Sequence, residues 1–269
     1  ANALYDAVPS GSPMKPTAVV RMAENIDSMG DRSEAIRRLR NISTANPDQP
    51  EAFSVLGDTL RADKQFAEAA KVYSKVIDMV EGDEPGDWRY YYVRGISYER
   101  NKEWPKAEAD FKRALELRPD QPQVLNYLGY SWVDQGVNLV EALAMIEKAV
   151  AAAPNDGYII DSLGWAYYRL GRYDEAVETL ERAVMLKPND PEINDHLGDA
   201  YWRAGRKLEA RFQYNIAMSV DKEGTVRERV EKKLASPQQG PLDEPTTAPL
   251  AADGAQVEPD AGKADGSPS

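Results

Sequence analysis

Apolar residues recur along this chain in two alternating helical stripes, and the stripes themselves recur every 34 residues. The segment LGWAYYRLGRYDEA, residues 163–176, returns as LGDAYWRAGRKLEA at 197–210. Leu163 and Tyr167 stand four apart and share one helix face, while Ala176, Leu180 and Ala183 form a second stripe at helical spacing. In RLGRYD and RAGRKL a glycine separates the stripes, where a first helix would end. Each period therefore predicts a helix, a tight turn and a second helix.

Counting places from residue 16, glycine holds the eighth place of five successive units as Gly57, Gly95, Gly129, Gly164 and Gly198, with Ala23 in the first unit. Alanine holds the twentieth as Ala35, Ala69, Ala107, Ala142, Ala176 and Ala210, once one extra residue in GVNLVEA is allowed. Large apolar residues hold the seventh place (Met22, Leu56, Leu128, Leu163, Leu197) and the twenty-fourth (Leu39, Tyr73, Phe111, Leu180, Tyr214). The eleventh place, Ile26, Leu60, Tyr98, Trp132, Tyr167 and Tyr201, is assigned to the core. Small residues at the eighth and twentieth places let paired helices approach closely. Pro47, Pro119, Pro154 and Pro188 stop the second helix of four units.

Six units follow, at 16–49, 50–87, 88–121, 122–156, 157–190 and 191–224. Three departures mark the third unit and its approach: Arg94 stands at the leucine place, Glu81 replaces the closing proline, and EGDEPGDW inserts four residues, as a longer turn or a hinge. Residues 1–15 continue the register backwards, Ala1 at the twentieth place and Tyr5 at the twenty-fourth, as the second helix of a preceding repeat. This register predicts that the chain is a C-terminal piece of a longer array. After residue 224, Thr225 precedes Glu228 in a capping-box pattern, and Val226, Val230 and Leu234 share a stripe, so 225–235 predicts a helix that caps the stack. Residues 236–269 hold six prolines, four glycines and no aromatic residue, the composition of a disordered acidic tail.

Chemistry narrows next. His196 is the chain's one histidine and there is no cysteine, which removes thiolate nucleophiles, cysteine ligands and histidine-pair metal sites. No G-x-S-x-G elbow or phosphate-cradling glycine loop occurs, so neither an enzyme nor a cofactor is expected. NIS at 41–43 fits a glycosylation acceptor, a pattern too short to carry weight. A net charge of −12 argues against nucleic acid, whose phosphates need a basic face. No stretch is apolar enough to span a membrane, and no leader is visible, so no membrane contact is expected of this piece.

A 34-residue period with these places resembles the tetratricopeptide repeat family, over about 209 of the 269 residues. The resemblance implies an all-α fold, a right-handed α-solenoid of helix-turn-helix repeats with a capping helix and a disordered tail. It also implies partner binding in a concave groove lined by the second, fifth, ninth and twelfth places of each first helix. Here those places hold Glu24 and Asp27, then Glu51, Asp58 and Arg61, then Arg89, Tyr92 and Glu99. Asn126 and Tyr130 follow, then Tyr158, Asp161, Trp165 and Tyr168, and finally Glu192, Asp195, Asp199 and Trp202. Nine acids thus face two arginines. The last two units combine four aromatic rings with four carboxylates and no base, which makes them the preferred site. The expected partner is a protein segment with basic and apolar residues. A variant of the family clamps acidic peptide termini with lysine at the fifth place and asparagine at the ninth. Asp161 with Trp165, and Asp195 with Asp199, do not fit that variant.

The function expected is a non-enzymatic scaffold or adaptor. Two other classes stay open: a substrate-recruiting, non-catalytic arm of a larger enzyme, and a homo-oligomerisation module. The last three repeats are similar to arrays of Gram-negative envelope adaptor proteins, many of them lipoproteins. That similarity implies a periplasmic or outer-membrane-associated location, with the cytoplasm as the alternative.

Overall fold

A computed structural model describes residues 2–9, 11–235 and 240–241, and every α-helix and turn below lies among them. A short helix α1 (Asn2–Asp6) leads, and Tyr5 packs on the first core. Hairpins follow as α2 (Lys15–Ser28) with α3 (Arg32–Ala45), α4 (Pro50–Ala62) with α5 (Phe66–Met79), and α6 (Trp88–Arg100) with α7 (Trp104–Leu117). Next come α8 (Pro122–Gln135), α9 (Leu139–Ala152), and the hairpins α10 (Gly157–Arg169) with α11 (Tyr173–Leu186) and α12 (Pro191–Arg203) with α13 (Lys207–Val220). The last helix is α14 (Arg227–Leu234). The chain divides into two compact units, Ala1–Leu128 and Gly129–Ser269.

Four of the hairpins are closed by the same contact. A Cβ built on Gly198 would lie 2.4 Å from the Tyr214 ring; at Gly57 and Gly95 the same atom would lie 2.7 Å from Tyr73 and Phe111, and at Gly164 2.5 Å from Leu180. Glycine at the eighth place is thus the seat of the large residue at the twenty-fourth, and all four of those residues are fully buried. Overfilling such a seat costs about 1–3 kcal/mol. The six alanines of the twentieth place have no exposed surface at all.

The turns repeat as faithfully as the packing. At the fifteenth place the backbone is left-handed in all six units: Gly30, Gly136, Gly171 and Gly205, and also Lys64 (φ 61°) and Lys102 (φ 62°). The next amide then reaches back to the carbonyl of the eleventh place, as from Gln65 to Leu60, Arg172 to Tyr167 and Arg206 to Tyr201, closing the first helix. A left-handed L-residue costs about 1–2 kcal/mol, part of which glycine's larger unfolded-state entropy offsets. Lys64→Gly is therefore expected to stabilise unit 1 by about 0.5–1 kcal/mol in urea unfolding.

The departures in the third unit have physical answers. Arg94 replaces leucine because it pairs within the hairpin: Nε and Nη2 donate to the two Asp110 oxygens, each at 2.7 Å, and Nη1 donates to Ser74 Oγ at 3.0 Å. Asp110 is buried, and that burial raises its pKa against the pull of Arg94. The inserted segment folds into a 3-10 turn, Pro85–Asp87, with Glu84 and Asp87 capping each other reciprocally.

Two core expectations need correction. Trp132 and Tyr201 are buried, but Tyr98 and Tyr167 are half-buried, each with a cation over its ring. In unit 2 this arrangement is duplicated at the 34-residue spacing: Tyr167 donates to Glu147 under Arg172, and Tyr201 donates to Glu181 under Arg206. The capping box at Thr225 does not form either. Asp221 takes its place, its carboxylate accepting from the amides of Thr225, Val226 and Arg227 at 2.9–3.0 Å. The expectation of disorder over 236–269 lies outside the described residues, apart from Gly240 and Pro241.

Candidate functional site

The second, fifth and ninth places of α12 project Glu192, Asp195 and Asp199 from one face, because positions three and four apart share a side of a helix. Asp190 anchors the start of that helix, its carboxylate accepting from the amides of Glu192 and Ile193 at 3.0 and 3.1 Å. α10 is built alike, with Asp156 as its cap and Asp161 and Trp165 on the equivalent face.

The acidic face of α12 is not open. α14 lies against it, and Lys233 Nζ donates to both oxygens of Asp195 at 2.9 and 3.0 Å and to Asp199 Oδ2 at 2.7 Å. Arg229 Nε donates to Asp195 Oδ2 at 2.6 Å, and its Nη2 stands 2.6 Å from Glu192 Oε1. Tyr214 donates to the other oxygen of Asp199 at 2.6 Å. Asp195 and Asp199 are 1% and 2% exposed. Burial pushes the Asp199 pKa up to about 6, against the pull of Lys233.

Behind this layer sits a stack of rings. Trp165 lies between Tyr168, at 4.7 Å and 14° between planes, and His196, at 4.3 Å and 20°. His196 Nδ1 meets the Asp161 carboxylate at 2.9 and 3.1 Å. Burial by itself would lower the His196 pKa, but the carboxylates of Asp161, Glu192 and Asp195 outweigh it and raise it to about 9. The histidine is therefore a buried cation at neutral pH, and it contributes an ion pair to the core.

A cavity of about 250 Å³ remains in unit 2, lined by Tyr130 and Asp134 of α8, Trp165 of α10, α12, and Arg229 and Lys233 of α14. The ten residues expected to contact a partner therefore separate. Tyr130, Trp165, Asp195 and Asp199 line this one cavity, and Asp161 and Tyr168 lie packed behind it. Asp161, Trp165, Tyr168, Asp195 and Asp199 are all buried, which corrects the expectation that they form an exposed lining: neighbouring rings and α14 cover them. Tyr158 is 53% exposed and stands apart at the α11–α12 turn, with Lys187 over its ring at 4.7 Å. Trp202 is half-buried, with Lys207 5.1 Å from its ring, and Gly240 crosses its edge so closely that a Cβ there would overlap the indole. Tyr92 and Asn126 belong to unit 1, Tyr92 within ring contacts to Trp88, Phe111 and Tyr127 at 5.9–6.2 Å.

Sequence reasoning missed Arg229 and Lys233. Their spacing of four was the available signal: it places both on one stripe of α14, next to the apolar stripe of Val226 and Val230.

Unit 1 keeps an open hollow of about 470 Å³ between α4, the 3-10 turn and α6. Ser54 and Asp58, at the fifth and ninth places of the second unit, line it with Arg89, at the second place of the third, and with Asp87, Tyr73, Tyr90 and Val93. Asp58 accepts from Tyr73 at 2.8 Å. Arg89 is exposed and meets no carboxylate at ion-pair distance among the described residues. These two units contain no group of histidine, cysteine and acidic residues able to hold a metal among the described residues, and no described helix is long and apolar enough to cross a membrane.

Comparison with known proteins follows the same geometry. A tetratricopeptide repeat model matches residues 27–84, 65–122 and 92–157, and a TPR repeat model matches residues 164–205. A TPR repeat-containing protein of Pseudomonas aeruginosa is 27% identical over 173 residues, 64% of this chain and 28% of its own length. Tetratricopeptide repeat protein 13 of Homo sapiens is 29% identical over 133 residues, 49% of this chain and 15% of its own. The chain thus spans less than a third of these curated relatives. Among solved structures, the APC/C hetero-tetramer Cut9-Hcn1 superposes with a TM-score of 0.73 at 17% identity, covering 87% of this chain and 45% of that one. A tetratricopeptide repeat protein from Parabacteroides merdae gives 0.69 at 14%, covering 85% and 87%. At these identities the structural likeness speaks to the fold, and no catalytic family is indicated by the matches. The recurring glycine seat and left-handed turn are the physical form of what the family models match: the chain is a helical array of tetratricopeptide repeats.

Proposed function

We propose that this array is a non-catalytic scaffold that holds a segment of another polypeptide in the hollow of unit 1. Proteins of this repeat family generally serve as protein-interaction scaffolds, and the observation that carries the reading here is Arg89. It is an exposed cation without a carboxylate partner, at a groove place, beside the exposed Asp58 and the half-buried Tyr90 and Val93. Such a hollow suits an extended segment that presents a carboxylate to Arg89 and an apolar side chain to Tyr90 and Val93. The expectation of a basic partner rested on the carboxylates of the last two repeats, three of which are buried; in unit 1 the hollow sets Asp58 and Asp87 beside Arg89, so a segment carrying both signs of charge suits it. The working location we propose is the bacterial envelope; the resemblance of the last three repeats to envelope arrays supports it, and fractionation of cells expressing the full gene tests it.

Selection from a displayed peptide library tests the binding reading. The wild-type chain is expected to enrich peptides with an acidic residue next to an apolar one, and Arg89→Glu to lose them while keeping its helical spectrum. Identical selections by both chains, or no enrichment by either, would overturn it.

A further inference from the structure

The acidic groove of unit 2 is filled by the chain's own last helix, and the fit is incomplete. Four carboxylates line the cavity, from Asp134, Glu192, Asp195 and Asp199, against His196 of α12 and Arg229 and Lys233 of α14. Arg229 and Lys233 come from the covering helix rather than from a neighbouring repeat. His196 is taken up by Asp161, so Arg229 and Lys233 are the cations that hydrogen-bond Asp195 and Asp199, and an occupant that replaces them must bring positive charge to these buried carboxylates.

α14 supplies that charge but little else. It has eight residues, short of the length at which a helix holds itself together in water. Val230, with Val226 just before the helix, is its fully covered apolar side chain, whereas Arg227, Glu228, Glu231 and Lys232 are exposed. Buried ion pairs return little net stability once desolvation is counted. The cavity of about 250 Å³ persists beside it, and the indole N–H of Trp165, buried in the cavity wall, has no acceptor among the described residues.

We propose that α14 is an exchangeable occupant of this groove, and that the groove's external partner is a helical segment with two basic residues four apart next to a β-branched one. Arg229, Val230 and Lys233 display that pattern. A partner helix with more apolar surface fills the cavity that α14 leaves and displaces it. This concerns a different surface from the hollow of unit 1, and the two readings fail independently.

The test uses the whole chain and a fluorescein-labelled peptide of residues 221–235, titrated by fluorescence anisotropy. In the Arg229→Gln/Lys233→Gln chain, the resident helix loses the two cations that face the groove, and the peptide is expected to bind at least ten-fold more tightly than to wild type. A peptide with the same two replacements is expected not to bind. Equal affinity for both chains, or no binding by either, overturns the proposal. Hydrogen exchange of the wild-type chain decides the matter if the double variant does not fold. Residues 227–234 are expected to exchange at least ten-fold faster than residues 207–220, and equal protection refutes exchangeability.

Discussion

Asp195→Ala is expected to destabilise the C-terminal hairpin by about 3 kcal/mol or more, the range seen when one partner of a buried ion pair is removed. Asp195 touches both Arg229 and Lys233 of α14, accepting from Lys233 at 2.9 and 3.0 Å and from Arg229 at 2.6 Å. Without it, Arg229 keeps Glu192, which is half exposed, and Lys233 keeps Asp199 as its remaining carboxylate, with its ammonium still out of water. The substitution also removes the repulsion that helps raise the Asp199 pKa, which places the loss at the lower end of that range. Because repeat arrays unfold in parts, the measurement is local: α14 becomes sensitive to protease at a urea concentration that leaves unit 1 folded. Glu192→Ala, at the half-exposed end of the same network, is expected to cost less than 1 kcal/mol.

Trp165→Ala is expected to cost about 3–5 kcal/mol, as for truncation of a buried aromatic residue. The indole is 5% exposed and has a ring stacked on each face. Its removal leaves a void beside Tyr168 and His196 and abolishes two ring pairs, each worth about 0.5–1.5 kcal/mol beyond area. A residue placed for partner contact would cost almost nothing in stability. The melting temperature of the variant separates the two roles, and Trp165→Phe, which keeps a ring in the stack, is expected to recover more than half of the loss.

How far the fold could be read from the chain follows from which constraints are local. Glycine at the eighth place is dictated by one contact within its own hairpin and alanine at the twentieth is fully buried, so identity and spacing alone reveal them. The left-handed fifteenth place was visible at Gly171 and Gly205 but not at Lys64 and Lys102, where the hairpin imposes the conformation on residues that do not favour it. Arg94 looked like a defect because its partner, Asp110, lies in the second helix, at a place the repeat does not reserve for charge. The groove shows the same limit more sharply. Place numbers identify the face a side chain takes, and Tyr130, Trp165, Asp195 and Asp199 line one cavity. They do not say whether that face is covered. The cover came from α14, whose charges resemble those of any solvated helix until Asp195 and Asp199 are seen beneath them.

The central claim is that the carboxylates of α12 are satisfied from within the chain, and a double-mutant cycle between Asp195→Asn and Lys233→Met measures it most directly. Urea unfolding of the four chains is predicted to show that the two losses fail to add by about 1 kcal/mol or more, as for residues in one buried network. Losses that add within about 0.3 kcal/mol would mean that Asp195 and Lys233 do not meet, and would contradict the account.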